Sequence, residues 1–345
     1  MGRRRAQIRR QYRIETAMTV IDIHTHMLTL DWIELLRAHG GGKYSVKKTR
    51  AQQDAVHLYD APFMTLMPGM WDYDLRIKNM DKAGVDVAVI SLTCPNVFWG
   101  DRAVSLKAAR TVNDSMREQQ RARPDRIRWF ASLPWQYADD AKAELARCVK
   151  AGAVGVMVLG SIDGHQLVEP QFADVWQEIN KLGLPVLVHP TAPPGVREMQ
   201  METFNLIPPV GFMFDTTLSF AHMIFSGFLD RYPNVKLIAA HGGAALPYLA
   251  GRFDICHEKI PACSGAIKDK PSSYLRRIYY DTVVYEQDAL ELCIEVAGSA
   301  DNVLYGSDYP HNIGDMAGCL ARVNALPGDA ARRIAGKNAE RIFKL

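Results

Sequence analysis

Residues 19–26 read Thr19-Val20-Ile21-Asp22-Ile23-His24-Thr25-His26. The stretch begins as a short apolar run of the kind that fills a buried strand, then turns polar at alternate positions. In an extended chain His24 and His26 point to the same side, about 7 Å apart along the backbone, so both can converge on one ion. Seven more β-rich runs follow: 85–92 (VDVAVISL), 127–133 (IRWFASL), 154–159 (VGVMVL), 185–189 (PVLVH), 235–241 (VKLIAAH), 279–284 (YYDTVV) and 303–308 (VLYGSD). Several are apolar at consecutive positions, as strands covered on both faces must be. Helical patterns separate them, over 73–83, 104–121, 139–151, 172–182, 218–231, 246–258 and 288–297. Asp139 and Asp140 favour a helix start through capping and the dipole, and Gly84, Gly152 and Gly183 stand where C-terminal caps belong. Eight strands alternating with helices predict an α/β fold, a (β/α)8 TIM barrel over residues 18–345. No G-x-G-x-x-G follows the first strand, which counts against a dinucleotide-binding doubly wound sheet.

Two stretches break the rhythm. Residues 40–70 are expected to form a small insertion that separates strand one from the first regular helix. Residues 191–211 are rich in Pro, Met and Phe. Both follow strand ends, so in a barrel both are expected to act as lid loops over the C-terminal, catalytic face.

The formal charge of +3 is unevenly spread. Residues 1–17 hold six arginines against Glu15 and so carry +5, which leaves −2 for the rest. This basic extension is expected to be disordered, and it lacks the apolar segment of a secretory signal. With a near-neutral body, no nucleic-acid partner is expected. No apolar run reaches the roughly 18 residues of a membrane helix, so no membrane span is expected either. Cys94, Cys148, Cys256, Cys263, Cys293 and Cys319 lie far apart with no C-x-x-C pair. Reduced, mostly structural thiols in a cytoplasmic protein are the expectation, rather than a disulfide framework or a zinc knuckle.

The polar residues at the strand ends carry the chemistry. Strand five ends in His189-Pro190, strand six in His241-Gly242-Gly243, and strand eight in Ser307-Asp308-Tyr309-Pro310-His311. In a barrel these ends meet at one mouth. An H-x-H alone is a weak signal; alone, His189 reads as a bonded core histidine and Asp308 as a turn residue. Together, His24, His26, His189 and Asp308 make a ligand set for one divalent ion. Zn2+ suits the borderline nitrogen ligands, with Mn2+ as the alternative.

The segments DIHTH (22–26), WDYDLRIKNMDKAGVDVAVIS (71–91), LVHP (187–190), AHGGAALPYLAGRFD (240–254) and YGSDYPH (305–311) resemble the amidohydrolase superfamily. Within it the chain resembles the aminocarboxymuconate-semialdehyde decarboxylase family, from about residue 20 to the end. The resemblance implies a metal held by His24, His26, His189 and Asp308. It implies that His241 sits beside the metal as a proton shuttle rather than a permanent ligand. It also implies that Arg252 reaches a neighbouring subunit's pocket to hold a substrate carboxylate, and hence a homodimer at least. Two features depart from the family. No Arg stands in Leu66-Met67-Pro68-Gly69-Met70, where related decarboxylases carry one before the Trp, and Thr191 follows the His-Pro of strand five where they carry a Trp. One carboxylate clamp and one aromatic wall are missing. Met64, Met67, Met70, Met199, Met201 and Phe204 are candidates for a more apolar pocket around an aromatic ring, or for packing of the lids.

Phe98 and His311 are expected to touch substrate, Phe98 beside Trp99 after strand two and His311 at the same mouth as Asp308. Asp215 lies in an acidic-Thr-Thr pattern and either orients a ligand or buttresses a helix. His39, His57, His165, His222 and His257 read as surface or satisfied core residues. The expected activity is metal-dependent, non-oxidative decarboxylation of a small unsaturated or aromatic carboxylate, with His241 and Asp308 as catalytic residues. Losing CO2 directly from an sp2 carbon strands an electron pair, so that carbon must first be protonated or the conjugated system attacked. Hydrolysis or hydration with the same residues is the alternative.

Overall fold

In a computed structural model, which describes residues 19–345, the apolar runs pair in the order in which they occur. β1 (Ile21–His26) is buried along its length and leads into α1 (Leu30–His39), then into an antiparallel sheet of β2 (Tyr44–Lys48), β3 (Asp54–Leu58) and β4 (Ala61–Thr65). Next come α2 (Tyr73–Ala83), β5 (Val87–Ser91), α3 (Arg102–Ala122), β6 (Ile127–Ala131), α4 (Ala138–Lys150) and β7 (Gly155–Leu159). A small hairpin, β8 (Ser161–Ile162) and β9 (His165–Gln166), precedes α5 (Ala173–Leu182) and β10 (Pro185–His189). The chain continues through α6 (Phe212–Phe225), α7 (Phe228–Arg231), β11 (Lys236–Ala239), α8 (Leu246–Lys259), α9 (Pro271–Leu275) and β12 (Tyr279–Asp281). α10 (Gln287–Ala297), β13 (Val303–Leu304), α11 (Met316–Asn324), α12 (Ala330–Arg332) and α13 (Asn338–Phe343) complete it. The basic extension expected over 1–17 lies outside the described residues.

Eight strands form one parallel sheet in the order β1-β5-β6-β7-β10-β11-β12-β13. The last strand returns to the first: Ile23 N–H donates to the Tyr305 carbonyl at 2.9 Å, Asp308 N–H to His24 at 2.8 Å, and His26 N–H to Tyr309 at 2.7 Å. Those bonds close the barrel, as the alternating pattern predicts. The seam is tight at Gly306, where a Cβ would lie 2.8 Å from that of His24. Local signals act as read at α2, where the Asp72 carboxylate caps Leu75 N–H at 2.9 Å and Gly84 ends the helix in the left-handed region.

Four expectations need correction. Residues 40–70 do not separate strand one from its first helix, because α1 comes first. Thr29 caps it, and it buries Trp32, Ile33, Leu35 and Leu36. The insertion is an ordered three-stranded sheet whose five-residue strands bury Val56, Leu58, Phe63 and Met64; β3 is buried at four consecutive positions and so shows no apolar alternation. Asp139 and Asp140 sit in the first turn of α4, where the dipole favours them, but the N-cap position is Tyr137. The helix expected over 218–231 starts earlier, at Phe212, and is divided at Gly227, whose φ of +70° interrupts helical geometry. The last two site strands are also shorter than read. β11 stops at Ala239 and β13 at Leu304, so His241 and Asp308 lie in the turns beyond them. Both have φ of +57°, a backbone region that residues with a Cβ adopt at a cost and that clusters at functional sites.

Candidate metal centre

β1, β10, the turn after β11 and the turn after β13 deliver His24, His26, His189, His241 and Asp308 to one buried place at the C-terminal mouth. His24 Nε2 lies 3.2 Å from His26 Nε2, and Asp308 Oδ1 lies 3.1 Å from His26 Nε2 and 3.4 Å from His24 Nε2. The ring centroids of His24 and His26 stand 5.1 and 4.8 Å from that of His189. His241 Nε2 faces the other carboxylate oxygen, Asp308 Oδ2, at 3.7 Å. Donor atoms of His24, His189, His241 and Asp308 fall within 4.8 Å of one another, as do those of His26, Asp308 and His311.

Hydrogen bonds behind the rings decide which nitrogen carries the proton. His24 Nδ1 donates to Asp281 Oδ2 at 2.5 Å, and His189 Nδ1 to the Pro190 carbonyl at 2.8 Å. His26 Nδ1 faces the Leu92 carbonyl at 3.2 Å and the Ser91 hydroxyl at 3.1 Å. With each Nδ1 proton committed to an oxygen, the Nε2 atoms are left as lone pairs. Those of His24 and His26 face each other and a carboxylate that can only accept. Such a set repels itself until a cation joins it. The spacings of 3.1–3.4 Å also match the ligand–ligand edge of about 3.3 Å in a tetrahedral zinc site. The donor set therefore fits a divalent ion. His241 differs, because its buried Nδ1 has no hydrogen-bond partner among the described residues to pin its ring from behind.

The electrostatics agree at His26, His189 and Asp308, while His24 is held the other way by its carboxylate neighbours. Burial pushes His26 down to about 3, with the neighbouring imidazoles adding to the effect and Asp308 opposing it. Burial likewise holds His189 well below the usual imidazole value. Burial opposes ionisation of Asp308, yet His311, His241, His26 and His24 hold it well below the carboxylate range. For His24 burial is outweighed by Asp281 and Asp308, which raise it. Neutral imidazoles beside an ionised carboxylate are the forms that bind a metal.

A family model for amidohydrolases matches residues 21–345. The chain belongs to the amidohydrolase family. The 2-amino-3-carboxymuconate-6-semialdehyde decarboxylase of Dictyostelium discoideum is 30% identical over 301 residues, 86% of this chain and 83% of that protein. The crystal structure of 5-carboxyvanillate decarboxylase from Sphingomonas paucimobilis matches with a TM-score of 0.83 and 28% identity, over 95% of this chain and 100% of that one. A dihydroxybenzoic acid decarboxylase from Polaromonas sp. JS666, solved with bound manganese and 2-nitroresorcinol, matches with a TM-score of 0.77 and 25% identity, over 95% and 97% of the two chains. The expected barrel and the family resemblance are both borne out.

Beside the histidines of this amidohydrolase lies a cavity of about 290 Å³. His189, His241, Asp308 and His311 line it together with apolar residues such as Phe63, Met64, Phe204, Pro208, Phe212 and Ile313 and the polar Thr65, Asn205 and Asn312, and no Lys or Arg of the described residues does. Both unusual stretches thus supply walls, and Met64 and Phe204 face the cavity. Met70 and Met201 are buried in packing instead, and Met199 is exposed. His311 joins the centre, with its ring 4.9 Å from His26 and its Nε2 3.0 Å from Thr93 Oγ1. Phe98 does not line this cavity. It walls a second one of about 280 Å³ with Tyr44, Ser161 and Thr191, while Trp99 packs on Trp32. Arg252 is exposed on α8 and does not line the metal-side cavity. Asp215 is buried and accepts from Thr191 N–H at 2.8 Å and Ser161 Oγ at 2.9 Å, so it buttresses the loop after β10.

The sequence reading missed Asp281. Besides His24 it accepts the backbone N–H groups of His241, Gly242 and Val283, each at 2.9 Å. The available signal was an Asp at the end of an otherwise apolar barrel strand, in YYDTVV. It missed Asp22 as well, which accepts from Ser307 Oγ at 2.5 Å and which burial pushes up to about 7.

Proposed function

We propose that this amidohydrolase catalyses metal-dependent, non-oxidative decarboxylation of a small aromatic or unsaturated carboxylate. The observation that carries the reading is the convergence of unprotonated imidazole nitrogens and an ionised carboxylate against an aromatic- and proline-walled cavity. His24, His26, His189 and Asp308 hold the ion, zinc by their borderline donor chemistry and manganese as the alternative. A divalent ion held there supplies positive charge that binds a carboxylate together with an adjacent oxygen or nitrogen.

The chain's own groups handle the proton. His241, with its unpinned ring, holds a proton next to Asp308 Oδ2. Asp308 turns Oδ1 to the imidazoles and Oδ2 to His241, so one carboxylate can both face the ion and pass a proton to the substrate carbon. Protonation of that carbon gives the departing carboxylate's electrons a place to go. The apolar side chains of Phe63 and Phe212 receive the ring, with the exposed Phe204 at the rim, and His311 contacts the substrate from the Asp308 side. Phe98 acts from the neighbouring cavity, on whatever part of a substrate extends that way.

Arg252 acts in a partner subunit. It lies on α8 beside the exposed Tyr248 and Ile255, and α6 alongside exposes Phe214 and Leu218. The two helices touch through Phe225 and Phe253, with ring centroids 5.4 Å apart. An exposed apolar patch of this kind suits a second copy of the chain, which would carry Arg252 to the neighbour's substrate. All six cysteines are free, as a reducing, cytoplasmic setting allows. No helix among the described residues is long and apolar enough to cross a membrane.

The test is elemental analysis of protein purified without added metal, followed by a screen of aromatic carboxylates for released CO2. About one divalent ion per chain and stoichiometric CO2 are expected. Hydrolysed or hydrated product without CO2 would overturn the assignment.

A further inference from the structure

We propose that Arg76 is a positioning residue for the metal centre, acting from behind the barrel wall; the inference rests on the metal reading above. Arg76 is fully buried in the first turn of α2 and has no carboxylate within ion-pair distance among the described residues. A buried guanidinium is costly, and an apolar side chain would pack a helix against a strand at lower cost. Its donors show what the charge does here. Nη2 donates to the His26 carbonyl at 2.5 Å, Nη1 to Thr25 Oγ1 at 2.7 Å, and Nε to Met27 Sδ at 2.9 Å. A guanidinium can only donate, so the Thr25 hydroxyl must accept from it and spend its single proton elsewhere. That proton goes to the Tyr309 carbonyl, 3.0 Å away.

Arg76 therefore spans the seam at which the barrel closes, between the end of β1 and the turn after β13. On one side it holds the peptide of His26. On the other, through Thr25, it holds the peptide of Tyr309, the residue after Asp308. The Tyr309 ring is fixed too: the Arg76 guanidinium lies over its face at 4.8 Å, and Asn79 Nδ2 donates to its hydroxyl at 2.8 Å. Gly69 leaves room for that hydroxyl, since a Cβ there would come within 2.6 Å of it. Although β13 ends at Leu304, bonds from Asp308 N–H to the His24 carbonyl and from His26 N–H to the Tyr309 carbonyl carry the pairing past it, with Asp308 in a left-handed conformation. Arg76 and the groups it orders brace the same peptides from behind and so help to set the His26–Asp308 spacing.

The test uses Arg76→Met, Arg76→Lys and Thr25→Val in the full chain. Zinc and manganese affinities are measured by competition with a chromogenic chelator, with kcat and KM at saturating metal and melting of the metal-free proteins. Arg76→Met should weaken metal binding by roughly 10- to 100-fold and lower kcat more than KM changes. Arg76→Lys should recover part of both, because it keeps the charge but not the fork of donors. A folded Arg76→Met variant that melts earlier yet binds metal and turns over like the wild type would reduce Arg76 to a packing role and overturn the proposal. If Arg76→Met does not fold, Thr25→Val decides: a several-fold loss of affinity supports the relay, and wild-type affinity refutes it. A wild-type chain that binds neither ion defeats the metal reading itself, an outcome separable from the others.

Discussion

Replacing Asp281 by Asn tests whether the tautomer of His24 is set from behind. Asp281 Oδ2 meets His24 Nδ1 and the His241 N–H, and Oδ1 meets the N–H groups of Gly242 and Val283. Each oxygen faces two donors, so in either orientation the Asn amide group points N–H at N–H. The orientation that spares the Gly242 and Val283 bonds loses a charge-assisted bond to His24, about 1.5–3 kcal/mol. It also leaves the His241 N–H unsatisfied, at about 1–3 kcal/mol. A destabilisation of roughly 2.5–6 kcal/mol should lower the melting temperature of the metal-free protein by roughly 4–9 °C. The effect on metal is separate. Facing an amide donor, His24 Nδ1 becomes an acceptor and the ring proton moves to Nε2, where it blocks the lone pair aimed at the ion. Metal affinity should fall at least 10- to 100-fold, the range for losing an orienting partner. Chelator competition and differential scanning calorimetry measure both quantities on one sample. An Asp281→Asn protein with unchanged metal affinity would refute the tautomer argument, whatever its stability.

His241→Ala should retain the metal and lose roughly 10²- to 10⁴-fold in turnover, as expected for a lost proton-transfer group; loss of the ion would make it a ligand instead. Co-expression of Arg252→Ala and His241→Ala chains should regenerate activity above either variant alone, because some dimers then contain one intact composite site. Heterodimers without recovered activity would place Arg252 in its own chain or at the surface. Asp215 gives a pH signature. Burial pushes its carboxyl up to about 7, against bonds from Thr191 and Ser161. The folded chain keeps a proton that the unfolded chain loses near pH 4, so this contribution is fully present below pH 4 and is lost as pH rises through 7. Asp215→Asn has no such proton, and its urea stability should gain about 3 kcal/mol relative to the wild type between pH 5 and 8. A pH-independent difference would show that Asp215 titrates like an exposed carboxyl.

Strand and helix periodicity are local properties, and they were enough to read the barrel. β10 (Pro185–His189) and α2 (Tyr73–Ala83) occur at the boundaries the pattern predicts. The ligand candidates were legible for a related reason. Strand ends of a barrel gather at one face, so polar residues ending apolar runs name themselves once the topology is known. The insertion was less legible, because its strands are only five residues long and β3 is buried at consecutive positions rather than alternate ones.

What the sequence alone determined is therefore the barrel, its family and the set of side chains at its mouth. Only the tertiary structure decided how those side chains are held. Asp281 lies 257 positions from His24 along the chain, and Arg76 lies 50 from His26. Their bonds depend on a seam that closes only when the last strand meets the first. Proton position on an imidazole is set by whatever oxygen stands behind it, and that neighbour is a product of packing rather than of sequence spacing. The same holds for the cavity. Its apolar wall comes from two segments that look like loops in sequence, and they become one surface only after both fold over the mouth.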